Sequence, residues 1–156
     1  MQEHNRKRII GWGIAAALWT GVMFFFSGQS GADSGALSGS LTELLFGWLI
    51  DMGVSAQRME HFVRKGAHMS IFALQGFLLC MSLMHGVRRR AAVFLTTCVC
   101  ALTAVTNELH QMLSEGRHCS VADMGIDFFG ATLGLLTAVV VLHAFSSKNN
   151  TTGDQS

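Results

Sequence analysis

Three short groups of polar residues carry the chemistry open to this chain. The first is Arg64, Lys65 and His68, the second Asn107, Glu108 and Gln111, and the third Arg117, Asp123 and Asp127. Each stands at one end of a long apolar stretch, where an ionisable group costs a few kcal/mol by insertion scales. Groups kept at such a cost read first as a functional site, or as polar adhesive between helices. Residues four apart share one face of a helix. Arg64 and His68 are so spaced, with Gln75 on the same side; so are Asn107 and Gln111, with Glu108 beside them; so are Asp123 and Asp127. Three helices therefore each offer one polar face. At about 1.5 Å of rise per residue, Glu108 and Asp127 fall one or two turns inside the rim, in the same layer as His68.

Charge decides what that layer can do. A carboxylate in apolar surroundings loses its charge unless a cation lies near it. Arg64, Lys65, His68 and Arg117 are the available cations, and Glu108, Asp123 and Asp127 the anions. Arginine and lysine can hold a phosphate or carboxylate, while Glu108, Asp127 and His68 are the candidates for acid and base. The same set is balanced enough to satisfy itself and only hold helices together, so a binding or modifying role and a purely structural one both stand.

Other chemistries fare less well. His68, Glu108, Asp123 and Asp127 suit a divalent cation by type, but no H-E-x-x-H spacing is present and no metal is expected. Ser120, His68 and Asp123 make a nucleophilic triad on paper, with no elbow to present the serine. His110 points to a different side of its helix from Glu108. Cys80, Cys98 and Cys100 sit inside apolar segments, and no cysteine spacing suggests a disulfide framework or zinc site. No phosphate-cradling loop and no basic, aromatic surface for nucleic acid appears. The residues name no cofactor.

The elements that must position these groups are membrane helices. Half of the 156 residues are hydrophobic and only 13% are charged, about half the charge of an ordinary soluble domain. Apolar runs at 9–26, 66–85, 91–113 and 121–145 are each near the ~20 residues a helix needs to cross a bilayer. The first is longer than a signal-peptide core and lacks an A-x-A site, so a retained anchor is expected. Seven of the eleven Lys and Arg fall in the N-terminal tail, the Arg88-Arg89-Arg90 loop and the C-terminal tail (Lys148). The positive-inside rule then makes both termini cytoplasmic and turns the polar layer outward. In the long outer loop, Ser27 to Ser40 is rich in Ser and Gly and reads as a flexible tether. Apolar residues recurring through 41–52 at a helical period suggest an amphipathic helix on the membrane surface, or one capping the bundle. A further short helix over 55–63 would lead into the second span. The expected fold is all-α, one domain over 1–156, with four transmembrane helices and an interfacial helix in the first outer loop.

At these residues the chain resembles the VanZ-like family of small membrane proteins. Phe26-Ser27-Gly28-Gln29-Ser30 looks like its FSxQ element, and Arg64-Lys65-Gly66-Ala67-His68 like its RKxxH segment. Asn107 to Gln111, then Gly116-Arg117, then Asp123 to Gly134 look like its D-E-x-x-Q, GR and D-x-x-x-[ND] block. The resemblance adds Gln29 to the binding candidates. It implies a cell-envelope setting and an influence on susceptibility to glycopeptide antibiotics, teicoplanin in particular; in that setting the cations of the layer make an anionic or lipid-linked envelope molecule the partner to expect beside the bilayer itself. It implies no reaction. Asn107 stands where the family usually has Asp and Phe72 where it has Tyr, so a mechanism needing either group is in doubt; the loop before Arg117 also lacks the family's common proline.

Overall fold

The computed structural model describes residues 2–152, with side chains described at residue 3 and from 5 to 145. Lys148, counted above with the inner basic residues, lies outside the described side chains. Within these bounds every regular element is a helix: α1 Gln2–Ser27, α2 Gly31–Asp51, α3 Ala56–Met84, α4 Arg89–Gln111 and α5 Val121–Thr152. Four of them hold segments long and apolar enough to cross a membrane: Asn5–Ser27, Ala56–Met84, Arg89–Gln111 and Val121–Phe145. The expected spans are there. The short helix expected over 55–63 is the first part of α3, because nothing between Ala56 and Gly66 breaks a helix once Ser55 has started it.

The spans alternate in direction. Near one end the Ser82 hydroxyl donates to the Ile9 carbonyl (3.0 Å), joining the end of α3 to the start of α1. At the other, the Ser27 hydroxyl donates to the Asn107 carbonyl (3.3 Å), joining the ends of α1 and α4. The three polar groups therefore gather at a single end of the bundle.

The closest seam runs between α3 and α5. A β-carbon added at Gly130 would strike the Met69 carbonyl, one at Gly134 the Ala73 carbonyl, and one at Gly76 the Ala131 carbonyl. Backbones approach this closely in a membrane bundle only through small residues. The G-x-x-x-G stripe of α5 is thus a packing face that sets the distance between His68 and Asp127.

One expectation is corrected. The Ser/Gly-rich stretch is no tether, since α2 is helical from Gly31. Ser30 caps it: its hydroxyl accepts from the Asp33 amide (3.1 Å) and donates to the Asp33 carboxylate (2.7 Å). Two α2 hydroxyls, Ser38 and Thr42, are buried, and each bonds the carbonyl four residues back within the helix. Smallness here serves packing: Gly35 and Gly39 face Arg64 and Glu60 of α3. Leu44, Trp48 and Met52 point away from the protein, while the small, polar side of α2 meets the bundle.

Candidate functional site

The polar residues divide into a deep layer and a cavity above it. In the deep layer Glu108 and Asp127 are fully buried and Asn107 nearly so. His68 Nδ1 lies 3.2 Å from Asp127 Oδ1, and the Asn107 amide lies 3.5 Å from Asp127 Oδ2. Glu108 turns toward α5, where its Oε2 accepts from the backbone amide of Ser120 (2.9 Å). Ser120 is the residue that starts α5, its own hydroxyl accepting from the Asp123 amide (3.3 Å). Glu108 thereby fixes where α5 begins, and with it the heights of Asp123 and Asp127. One donor atom from each of His68, Glu108 and Asp127 falls within 4.8 Å of the others.

Lys65 and Asp123 pair with each other at the rim, with about a quarter of each side chain exposed. They do not border the cavity. With Ser120 capping α5 and Asp123 held by Lys65, the triad drawn on paper is not assembled. Gln75, on the face of Arg64 and His68, donates to the Thr20 hydroxyl on α1 (2.8 Å) and belongs to the bundle interior. His110 packs edge-on against Phe24, with ring centroids 5.4 Å apart, outside the polar layer.

The cavity holds about 250 Å³ and lies between α2 and the α1, α3 and α4 ends. Arg64, Arg117, Gln29, Gln111, His68 and Asn107 supply its polar wall. Met23, Phe26, Leu37, Leu41, Ile71 and Phe72 supply most of the apolar remainder. The connecting segments are stitched together to shape it. Ser114 donates to the Gly28 carbonyl (3.0 Å), and the Gly31 amide to the Glu115 carbonyl (2.9 Å). Gly116, at φ +73°, makes the left-handed turn that delivers Arg117. Burial pulls the Arg117 guanidinium below its ordinary pKa, the nearby Arg64 pulls the same way, and Glu108 opposes them. Among the described residues, neither Arg64 nor Arg117 forms an ion pair.

The sequence put ten residues in this neighbourhood. Gln29, Arg64, His68, Asn107, Gln111 and Arg117 meet at the cavity, Glu108 and Asp127 lie beneath it, and Lys65 and Asp123 stand apart as a pair. What sequence reasoning missed is the α2 wall: Ser34, Leu37, Ser38 and Leu41. Two signals were there to find. Ser30 to Asp33 has the spacing of a helix start, and Leu37 extends the apolar stripe one turn earlier.

A family model described as VanZ/LLP1 matches residues 12–142. The chain belongs to the VanZ/LLP1 family. No curated protein and no solved structure shows a significant match to it. The VanZ/LLP1 match spans all four apolar segments and both polar levels. The stretches singled out in the sequence have distinct places in this VanZ/LLP1 fold: Phe26 to Ser30 joins α1 to α2, Arg64 and His68 lie on the α3 wall, Gln111 and Arg117 line the cavity from α4 and the loop after it, and Glu108 and Asp127 lie beneath.

Proposed function

We propose that this VanZ/LLP1 protein binds an anionic, amphiphilic molecule of the cell envelope in the cavity beside α2. The observation that carries the reading is a pair of arginines, Arg64 and Arg117, bordering one cavity without a carboxylate partner among the described residues. The unmatched buried donors beside them, Arg64 Nε and Gln111 Nε2, ask for an acceptor of the same kind. Two cations drawn together in a half-buried place repel, and an anion removes the repulsion. A phosphate or carboxylate fits both forks. The apolar wall from Leu37, Leu41 and Ile71 suits a hydrocarbon tail entering from the bilayer. In this reading Glu108 and Asp127 orient the layer, or serve with His68 as acid and base should the bound molecule be modified.

The basic residues support an outward-facing cavity and cytoplasmic termini. Cys119, half-buried in the α4–α5 loop, would then react with a membrane-impermeant maleimide added to intact cells; labelling only after lysis would reverse the orientation. Binding is tested with the detergent-purified chain and fluorescent phosphatidylglycerol against phosphatidylcholine. The anionic lipid should bind more tightly, and Arg64→Gln with Arg117→Gln should abolish the difference. Equal binding of both lipids, or unaltered preference in the double variant, defeats the proposal. Teicoplanin susceptibility of cells expressing the same variants gives the physiological readout that the family association suggests.

The deep layer favours a second, structural reading for its own residues, because Glu108, His68 and Asp127 tie α3, α4 and α5 together. If the phenotype of Glu108 and Asp127 variants scales only with the amount of folded protein, adhesion is their whole role.

A further inference from the structure

Four of the unmatched buried atoms belong to the polar groups around the cavity and beneath it. On the cavity side they are donors, Arg64 Nε and Gln111 Nε2; in the deep layer they are acceptors, Glu108 Oε1 and Asn107 Oδ1. Both acceptors belong to side chains at most 2% exposed. A buried carboxyl oxygen with no donor is costly, of the order of 1–3 kcal/mol or more for a charged group. Lys65, a flexible cation at the same end, is engaged with Asp123.

From this we propose that His68, Glu108 and Asp127 form a divalent-cation site beneath the cavity, with the Asn107 carboxamide beside it. One imidazole nitrogen and two carboxyl oxygens come from three different helices, and all lie within 4.8 Å of one another. A cation at the centre of such a triangle sits at most ~2.8 Å from each donor, so a contraction of roughly 0.7 Å reaches the ~2.1 Å of zinc coordination. Mixed nitrogen and oxygen donors suit Zn²⁺ or Mn²⁺. Two carboxylates neutralise the charge. The Ser120 amide already orients Glu108 through Oε2 and leaves Oε1 for the metal, the kind of outer support that metal ligands require. Three protein donors leave a coordination position open, and because His68 and Asn107 also border the cavity, an anion bound there would lie next to the cation.

The test uses the full chain purified in detergent, stripped with EDTA and free of added lipid. It is titrated with ZnCl₂ or MnCl₂, then desalted for elemental analysis and melted. The expected result is one retained metal per chain and a melting rise of roughly 5 °C or more at a hundredfold excess over Kd. Glu108→Gln and Asp127→Asn should each bind the metal at least roughly tenfold more weakly, while Asp123→Asn, an acid at the same end outside the cluster, should bind it unchanged. Should the buried variants fail to fold, His68→Gln at the cavity wall makes the same distinction. No retained metal and no melting shift in the unaltered chain overturns the site. So does metal binding that survives in His68→Gln, or that Asp123→Asn removes equally. Because no lipid is present, this result is independent of the lipid-preference assay.

Discussion

Helix α3 has two working faces, and they are built in opposite ways. Toward α5 it meets backbone with no room for a β-carbon at Gly130 or Gly134. Toward α2 it stands off across a cavity of about 250 Å³. The closed face holds His68 against Asp127; the open face presents Arg64 to whatever enters. A bilayer gives no hydrophobic push between helices, so close contact must come from small residues and polar bonds. Where no neighbouring backbone closes in, as beside Val63 and Ala67, space opens. The contrast makes the seam the source of stability and the cleft the place for a ligand.

The largest effect should come from breaking the seam. Gly134→Leu forces the α5 backbone off the Ala73 carbonyl, and overpacking of this kind costs ~1–3 kcal/mol or more. Folded, monodisperse protein recovered from detergent should fall sharply, with a melting temperature down by about 4 °C or more. A Gly134→Leu protein that melts normally would show that the seam is not the support assigned to it.

Next comes the link that sets α5 in register. Glu108→Ala leaves the Ser120 amide without its acceptor, a loss of ~1–3 kcal/mol, whereas Glu108→Gln retains an oxygen and should keep most of the stability. Equal destabilisation by both variants would shift the role from the hydrogen bond to the charge.

Apolar length and the four-residue spacing of polar groups revealed the four spans and much of the site, because lipid imposes a simple rule on spanning helices. Arg64 and His68, or Asn107 and Gln111, could be placed on common faces before any contact was known. The sign of each partnership was less visible. Nothing in the sequence says that Lys65 takes Asp123 and leaves Arg64 unpaired, since that depends on how α5 is rotated by its glycine seam. The beginning of α2 was misread for a related reason. Gly35 and Gly39 lower helix propensity locally, yet they let α2 lie close to Arg64 and Glu60. Packing overrides propensity there, and composition alone cannot show a neighbour.

A gentler variant separates the two faces without touching the seam. Ala67 borders the cavity from α3, and Ala67→Phe should fill part of it. Melting should move by no more than about 2 °C, equivalent to ~0.5 kcal/mol for a surface-like substitution, while binding of the anionic lipid drops at least tenfold. Undiminished binding would place the lipid elsewhere.

The smallest expected change in stability has the opposite sign. The Arg117 pKa is lowered in the folded chain, first by burial and then by Arg64. A cation whose native pKa lies below its unfolded value binds its proton more weakly when folded, so its charge opposes folding at every pH below that native pKa, neutral pH included. Arg117→Met removes that penalty and keeps the volume of the stem. The ligand-free variant should melt slightly higher than the parent, and the gain should persist from pH 6 to 9, since arginine stays charged throughout. Anionic lipid should then stabilise the parent and leave the variant unchanged, reversing their order. If Arg117→Met instead melts lower without lipid, the guanidinium already has the partners it needs within the protein, and the open face of α3 is an adhesive surface like the closed one.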